Sequence, residues 1–443
     1  MKMLFSPLAA WMLLLMPCSA CIPAQTPAPQ PQNPSTQPAA GTTWLTPVQN
    51  LTLKNTRVDV PTQFRSSVGE NLTVNIPDGW TARIFYAGRL LNKPRFMAWS
   101  PDSVLHIADV NAGNIIALPD RNHDGIADTA IIAANGIFAH DIRFAYGALY
   151  AAEERRVVRL TDNNRDGIFE TRSNLIDNIA EGAMQPGGGH RTRTIVVDSR
   201  RNKLYLSIGS LCNVCREDFR AIIEEWDLAA DGTRASNRRI FANGIRNAVG
   251  MALHPRTGKL WATNNGSDWQ GNDIPPEWVD IVRDGGFYGY PFAHSYQAYF
   301  DFNAGSADYR SLLPITSADS TRVRTMKPPA ALMTAHSALM AIDFPSQTPA
   351  FPAELRRGAF VSMRGSWNRQ PLTGYKVVYL DFDNDADTTA NNVSDVVTGF
   401  LTDANLGLRW ARPVGLATDA RGNLYVGSDD ITRFVMIVSP PKK

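Results

Sequence analysis

The chain is short of cysteine, of net charge and of long apolar runs. Only four cysteines stand among its 443 residues. Cys212 and Cys215 are spaced C-x-x-C, but there is no second such pair and no histidine at ligand spacing, which argues against zinc. Lys+Arg 44 against Asp+Glu 42 leaves a formal charge of +2. With no basic surplus to meet a phosphate backbone, nucleic-acid binding is excluded. The apolar stretch at residues 4 to 16 is too short for a permanent membrane span. Helical periodicity is missing between the strand-like phrases, which argues against alternating strand–helix units. What is present is a 44% hydrophobic share, enough for a packed core. The 12 Tyr, 10 Trp and 19 Phe beside 32 Gly and 29 Pro point to an all-β chain.

Residues 1–20 read as a signal peptide, with Lys2 as the positive start and Cys18-Ser19-Ala20 as a small-residue cleavage site. Cys21 follows directly, as in a bacterial lipobox, although Cys18 stands where that pattern usually has Leu. Residues 21–45 then form a lipid-anchored, proline-rich linker, and residues 46–443 the folded domain. The alternative is plain cleavage after Ala20 and a protein free in the periplasm. Either way the protein is exported, and any membrane attachment is by the lipid alone. In an oxidising compartment Cys212 and Cys215 are expected to form a local disulfide.

From about residue 78 a phrase recurs: alternating apolar residues, a turn rich in Asp, Gly or Asn, and a second short strand. The copies are RFMAWSPDSVLHIAD, HDIRFAYGALYAAEE, RTIVVDSRRNKLYLSIG, VGMALHPRTGKLWATNNG, the weaker AFVSMRGSWNR, and RPVGLATDARGNLYVGSDD. Period-two alternation with short polar links means hairpins, and six units of roughly forty or more residues predict a six-bladed β-propeller. An insertion at 292–335 carries Tyr296, Tyr299, Phe300, Phe302 and Tyr309. These rings either form a lid that stacks on a sugar or pack the insertion against the blades.

Two loops space oxygen ligands around a glycine: Asp120, Asn122, Asp124 and Asp128 in one, Asp162, Asn164, Asp166 and Glu170 in the other. Such spacing suits a structural Ca²⁺, and equally an Asx-rich turn without metal.

The phrases PGGGHRTRTIVVD, GIRNAVGMALHP, NNGSDWQGNDIPPEWVDIVRDGGFYGYP, RGSWNRQPLTGYKVV and RPVGLATDARGNLYVGSDD together resemble the glucose/sorbosone dehydrogenase family. That resemblance implies an exported propeller that oxidises a sugar with pyrroloquinoline quinone (PQQ) and Ca²⁺, passing electrons to a quinone or cytochrome acceptor. It implies that His190 is the base, which suits an imidazole's ordinary pKa, with Ser210 where soluble relatives have a supporting Asp. Arg246 and Asn247 match the cofactor-binding pair, and Arg246 is implied to be catalytic as well, polarising the quinone oxygen as hydride arrives at the adjacent carbon. Arg364 falls near a family Lys, Arg412 matches a family Arg, and Arg409 lies one residue from a second. A cofactor with three carboxylates calls for such cations. Gly266 and Ser267 match positions whose carbonyls hold calcium, with Asn265, Asp268 and Glu277 nearby and His336 in the same channel. Two other readings stay open: a calcium-dependent sugar lactonase, which would use Glu277 and Asn265 but not the arginines, and a non-catalytic carbohydrate- or protein-binding propeller.

Overall fold

Several of the repeated phrases become β-hairpins because a turn residue satisfies the local backbone. Between Ala411–Thr418 and Leu424–Ile431, the Asp419 carboxylate accepts from the amides of Arg421 and Asn423, both at 2.9 Å. Gly422 completes that turn at φ +88°, where a Cβ would also strike Ala350. Asp198 does the same between Ile195–Asp198 and Lys203–Ile208, taking the amides of Arg200 and Arg201.

The computed structural model describes residues 51–179, 189–345 and 349–441. The signal peptide, Cys21 and the linker, with residues 46–50 of the expected domain, lie outside the described residues. Among those described, no helix is long and apolar enough to cross a membrane.

The architecture is the six-bladed β-propeller expected. Blade one runs from Pro94–Trp99 to Ile131–Asn135, blade two from Asp141–Ala145 to Thr171–Ile176, and blade three from Ile195–Asp198 to Ala235–Asn243. Blade four runs from Met251–Leu253 to Ala331–Met333, and blade five from Leu339–Asp343 to Asn392–Val397. Blade six joins the three last strands to an early one, Thr81–Tyr86, which pairs antiparallel with Phe434–Ser439. The first strands of successive blades are neighbours, and that of blade six meets that of blade one. The apolar core is divided among the blade interfaces. Ala108, Ile115 and Ala117 of blade one pack on Leu149, Ala151 and Val158 of blade two, and comparable clusters fill the other five junctions. A lone blade would leave both of its faces wet, so the closed ring is the stable state.

Two expectations shift. The weak fifth copy is the second strand of its blade, Ala359–Met363; the first is Leu339–Asp343. The insertion occupies residues 282–330, between Glu277–Ile281 and Ala331–Met333, and so belongs to blade four. Its rings do not stand free as a lid. Phe300 and Tyr309 pack with Leu312 and Val214, with Phe302 against them, while Tyr296 and Tyr299 pack against Phe292, Val323 and Met326. Burying these rings is what lets the insertion fold, and Tyr309 ties it down by donating to the Asp268 carbonyl (2.7 Å).

Candidate active site

A cleft of ≈ 840 Å³ opens at one end of the ring. In a propeller blade the start of the first strand and the end of the second lie at the same end, and the expected residues sit at those points. His190 and Arg246-Asn247 precede first strands, Arg412 begins one, and Gly266 and Arg364 follow second strands. His190, Arg246, Asn247, Gly266, Arg364 and Arg412 all line the cleft. So do Asn265, Asp268, Glu277 and His336. Gly209 makes the convergence possible, since a Cβ there would meet Asn247 Oδ1 at 2.6 Å and His190 Cβ at 2.7 Å.

His190 has a defined tautomer. Its Nδ1 lies 2.8 Å from the Ser210 carbonyl oxygen. A carbonyl only accepts, so Nδ1 carries the hydrogen and Nε2 keeps a lone pair. The Ser210 hydroxyl stands 3.0 Å from the same Nδ1 and donates to the Cys212 carbonyl at 2.8 Å. Orientation of the imidazole therefore comes first from the backbone of Ser210 and second from its hydroxyl. Burial, then the Arg246 guanidinium, pushes the His190 pKa down to about 3. The ring is neutral at physiological pH and free to take a proton, but without cofactor its affinity for one lies well below the ordinary imidazole value expected from the sequence. His336 is not equivalent, because its Nε2 is engaged with the Gly271 carbonyl (2.9 Å) and Asn368 approaches its Nδ1.

Arg246 is held by the Asn213 carbonyl and Asn213 Oδ1, both at 3.0 Å, by Asp268 at 3.1 Å, and by the Gly266 carbonyl. Arg412 donates to the carbonyls of Arg364 (3.1 Å) and Gly365 (2.6 Å) and lies over the Tyr375 ring. Arg364 pairs with Asp429 (2.8 Å) and Asp430 (3.3 Å). Arg95, on the same wall, pairs with the other oxygen of Asp429. Lys93 and Arg191 add two more cations. The wall thus gathers six basic side chains, four of them held by the carboxylates of Asp268, Asp429 and Asp430. Its chemistry fits a polyanion.

Oxygen donors for a hard cation stand together as well. The Asn265 Oδ1 is buried without a partner, and the Gly266 carbonyl follows it in the chain. Glu277 accepts from the Gly266 amide at 2.7 Å, and burial pushes its carboxyl up to about 8. An orphaned amide oxygen, a carbonyl and a carboxylate fit calcium. Ser267 is buried behind the wall, with its hydroxyl 2.8 Å from that of Tyr309.

Not every expected residue joins the cleft. Arg409 is exposed, donates to the Gly407 carbonyl (2.7 Å) and lies over the Tyr375 ring. Its backbone belongs to a separate two-stranded sheet, and its side chain is not among those that line the cleft. The two acidic loops lie between the third and fourth strands of blades one and two, apart from the cleft. In both, the first Asp accepts backbone amides of the turn; in the second, Asp162, Asp166 and Glu170 also bring oxygens within 4.8 Å of one another.

Asp429, Arg95 and Asn213 carry the wall and were not singled out from the sequence. Asp429 is in the quoted GSDD phrase, but its role depends on partners from two other blades. Its side chain is wholly buried between Arg95 and Arg364. Asp429→Ala is expected to destabilise the fold by about 3–5 kcal/mol, because it leaves buried guanidinium charge uncompensated. Chemical denaturation measures this, and an unchanged midpoint would contradict it.

Residues 74–440 match the family described as TrAA12-like. The chain is 25% identical over 434 residues to a pyrroloquinoline quinone-dependent sugar dehydrogenase of Hypocrea jecorina, covering 86% of this chain and 90% of that one. It is 28% identical over 243 residues to an uncharacterized protein of Borreliella burgdorferi, covering 54% of this chain and 58% of the other. Among solved structures, the calcium structure of a Trichoderma reesei carbohydrate-active enzyme of family AA12 superposes with a TM-score of 0.67 at 22% identity, over 82% of this chain and 96% of that one.

Proposed function

The chain belongs to the TrAA12-like family, and from that premise we propose that it is an oxidoreductase that oxidises a sugar, with PQQ as cofactor and Ca²⁺ beside it. One observation carries the reading: a histidine with a bare Nε2 shares its cleft with a wall of guanidinium groups suited to a polyanion.

When bound, PQQ supplies the hydride acceptor and calcium a Lewis acid. Arg246, Arg364 and Arg412 would hold the cofactor's carboxylates and oxygens, with Asn247 alongside. Their cationic field is already set by buried partners, so little reorganisation accompanies binding. Asn265, Gly266 and Glu277 would hold the cation. His190 Nε2 takes the proton of the sugar hydroxyl as its carbon loses hydride, and the Ser210 carbonyl steadies the ring through Nδ1–H. Electrons would then pass to a quinone or cytochrome partner.

The sugar is expected to meet indole at the mouth. Trp367 lines the cleft, is 65% exposed, and stands edge-on to Trp269, with ring centroids 5.7 Å apart. An exposed aromatic face at a polar cleft suits the C–H face of a sugar ring. Trp367→Ala is expected to raise KM for the sugar by about two- to tenfold and to leave kcat nearly unchanged, as for binding shared by ground and transition states. Steady-state kinetics decide, and a fall in kcat at constant KM would contradict it.

The test of the whole reading is to add PQQ and Ca²⁺ to the purified protein and follow dye-linked oxidation of a panel of aldoses. Oxidation that requires both additions supports it. Lactone hydrolysis without PQQ would replace it with the lactonase reading, and neither response from folded protein would favour a binding propeller.

A further inference from the structure

The C-x-x-C motif has no part in the reaction just described, yet it lies inside the site. Cys212 and Cys215 are joined by a disulfide, and Cys212 lines the cleft. The loop they close touches both principal side chains. Asn213, between the two cysteines, accepts from Arg246 Nε through its carbonyl and from Nη2 through Oδ1. The same Oδ1 accepts the Asp268 amide at 2.8 Å, and Asn213 Nδ2 donates to the Asp268 carbonyl at 3.1 Å. Asp268 is the carboxylate paired with Arg246. On the other side, the Cys212 carbonyl accepts from the Ser210 hydroxyl that faces His190. The Ser210 amide in turn donates to the Arg246 carbonyl at 2.8 Å.

The loop has its own supports. Tyr290 Oη accepts the Cys215 amide at 3.1 Å and donates to Glu217, and Glu217 accepts the Leu211 amide. Val214 is buried in the insertion against Phe300, Tyr309 and Leu312. These contacts hold the loop to the body of the protein. The disulfide fixes the path of the backbone between them, and Asn213 sits on that path.

We propose that the disulfide-closed loop is the positioning element that couples the cofactor-binding wall to the base, with Asn213 the positioning residue for Arg246. Arg246 has no covalent reason to lie beside His190. It is aimed there by Asn213 and Asp268, and Asn213 holds them both. Among the described residues, Arg246, Arg220 and Arg193 are the charged groups whose fields bear on the His190 ring. Arg220 and Arg193 reach the His190 carbonyl and do not bond to the loop. A change confined to the loop should therefore reach His190 through Arg246 and through the Cys212 carbonyl that holds the Ser210 hydroxyl.

Two variants test this: Asn213→Ala, which keeps the disulfide, and Cys212→Ser/Cys215→Ser, which removes it. The first readout is the pKa of His190 by NMR in protein carrying ¹³C-labelled histidine, without cofactor. Both variants should raise it toward the ordinary 6.5 as Arg246 moves off. The second is the affinity for PQQ in the presence of Ca²⁺, from fluorescence titration, which should weaken about tenfold. The third, which rests on the proposed function, is dye-linked turnover: kcat should fall by about ten- to a hundredfold, as for a small misplacement of reacting groups, with KM for the sugar little changed. If Asn213→Ala leaves the His190 pKa and the PQQ affinity as in the wild type, the loop is structural only and the proposal fails. Should the serine variant not fold, Asn213→Ala decides alone. Should the wild type bind no PQQ, the functional reading fails instead, and the His190 pKa still decides the role of the loop.

Discussion

His190→Ala should cut sugar oxidation by about 10²–10⁴-fold, the range for losing a positioned base, while PQQ is still retained. The imidazole's own contact is with Ser210, so removing that side chain leaves the contacts that hold the polyanion-binding guanidinium groups in place. Reconstituted wild type and variant should bleach the same dye at very different rates and take up PQQ alike. Oxidation at the wild-type rate would remove His190 from the reaction. The pH dependence follows in sign. Burial and Arg246 depress the His190 pKa, so the neutral, competent form persists from high pH down to about 3 in the protein without cofactor. A bound polyanion offsets the Arg246 field and moves that boundary upward. An NMR titration of His190 should thus give a lower pKa without PQQ than with it, and the reverse order would contradict the arrangement.

Arg246→Ala should act on the other half of the site. Its guanidinium is almost fully buried and bonded to Asn213, Asp268 and the Gly266 carbonyl. Truncating one partner of such a buried charged contact costs about 2–5 kcal/mol, or roughly thirty- to several-thousandfold in Kd. PQQ should wash out of the variant during gel filtration under conditions where the wild type retains it. Retention equal to wild type would mean that Arg364 and Arg412 hold the cofactor without it. Because Arg246 also lowers the His190 pKa, the variant should show a higher value there, a second effect of the same deletion.

The ring was legible because its signal is repeated. Each of these hairpins spells out its own alternation and its own turn, an Asx turn at Asp198 and Asp419 and a glycine at Gly147, so five of six phrases mark a first and second strand correctly. The fifth misled because 282–330 breaks the spacing and its first strand, Leu339–Asp343, lacks the turn that announces the others. The cleft was legible where the chemistry sits in a compact phrase, as in GIRN or GGGH. It was not legible where it depends on pairing across the ring. Arg95 and Asp429 are 334 residues apart and meet only because blade six closes on blade one. Arg409 and Arg412 are three residues apart, and only the backbone decides that one faces the wall and the other the solvent. The tautomer of His190 was invisible for a simpler reason: it is set by a main-chain carbonyl, which any residue at 210 would supply.

The clasp between Thr81–Tyr86 and Phe434–Ser439 makes assembly an all-or-nothing event for a ribosome's product. Until the final strands have been synthesised, the early strand has no permanent mate and the circle stays broken. Both Arg412 and Asp429 lie in that last-made blade. A polypeptide interrupted anywhere before it would therefore lack part of its electropositive wall as well as its closure, and would expose unpaired edges prone to aggregation. Competence and completeness arrive together, so a half-finished chain is not left as a partly working enzyme.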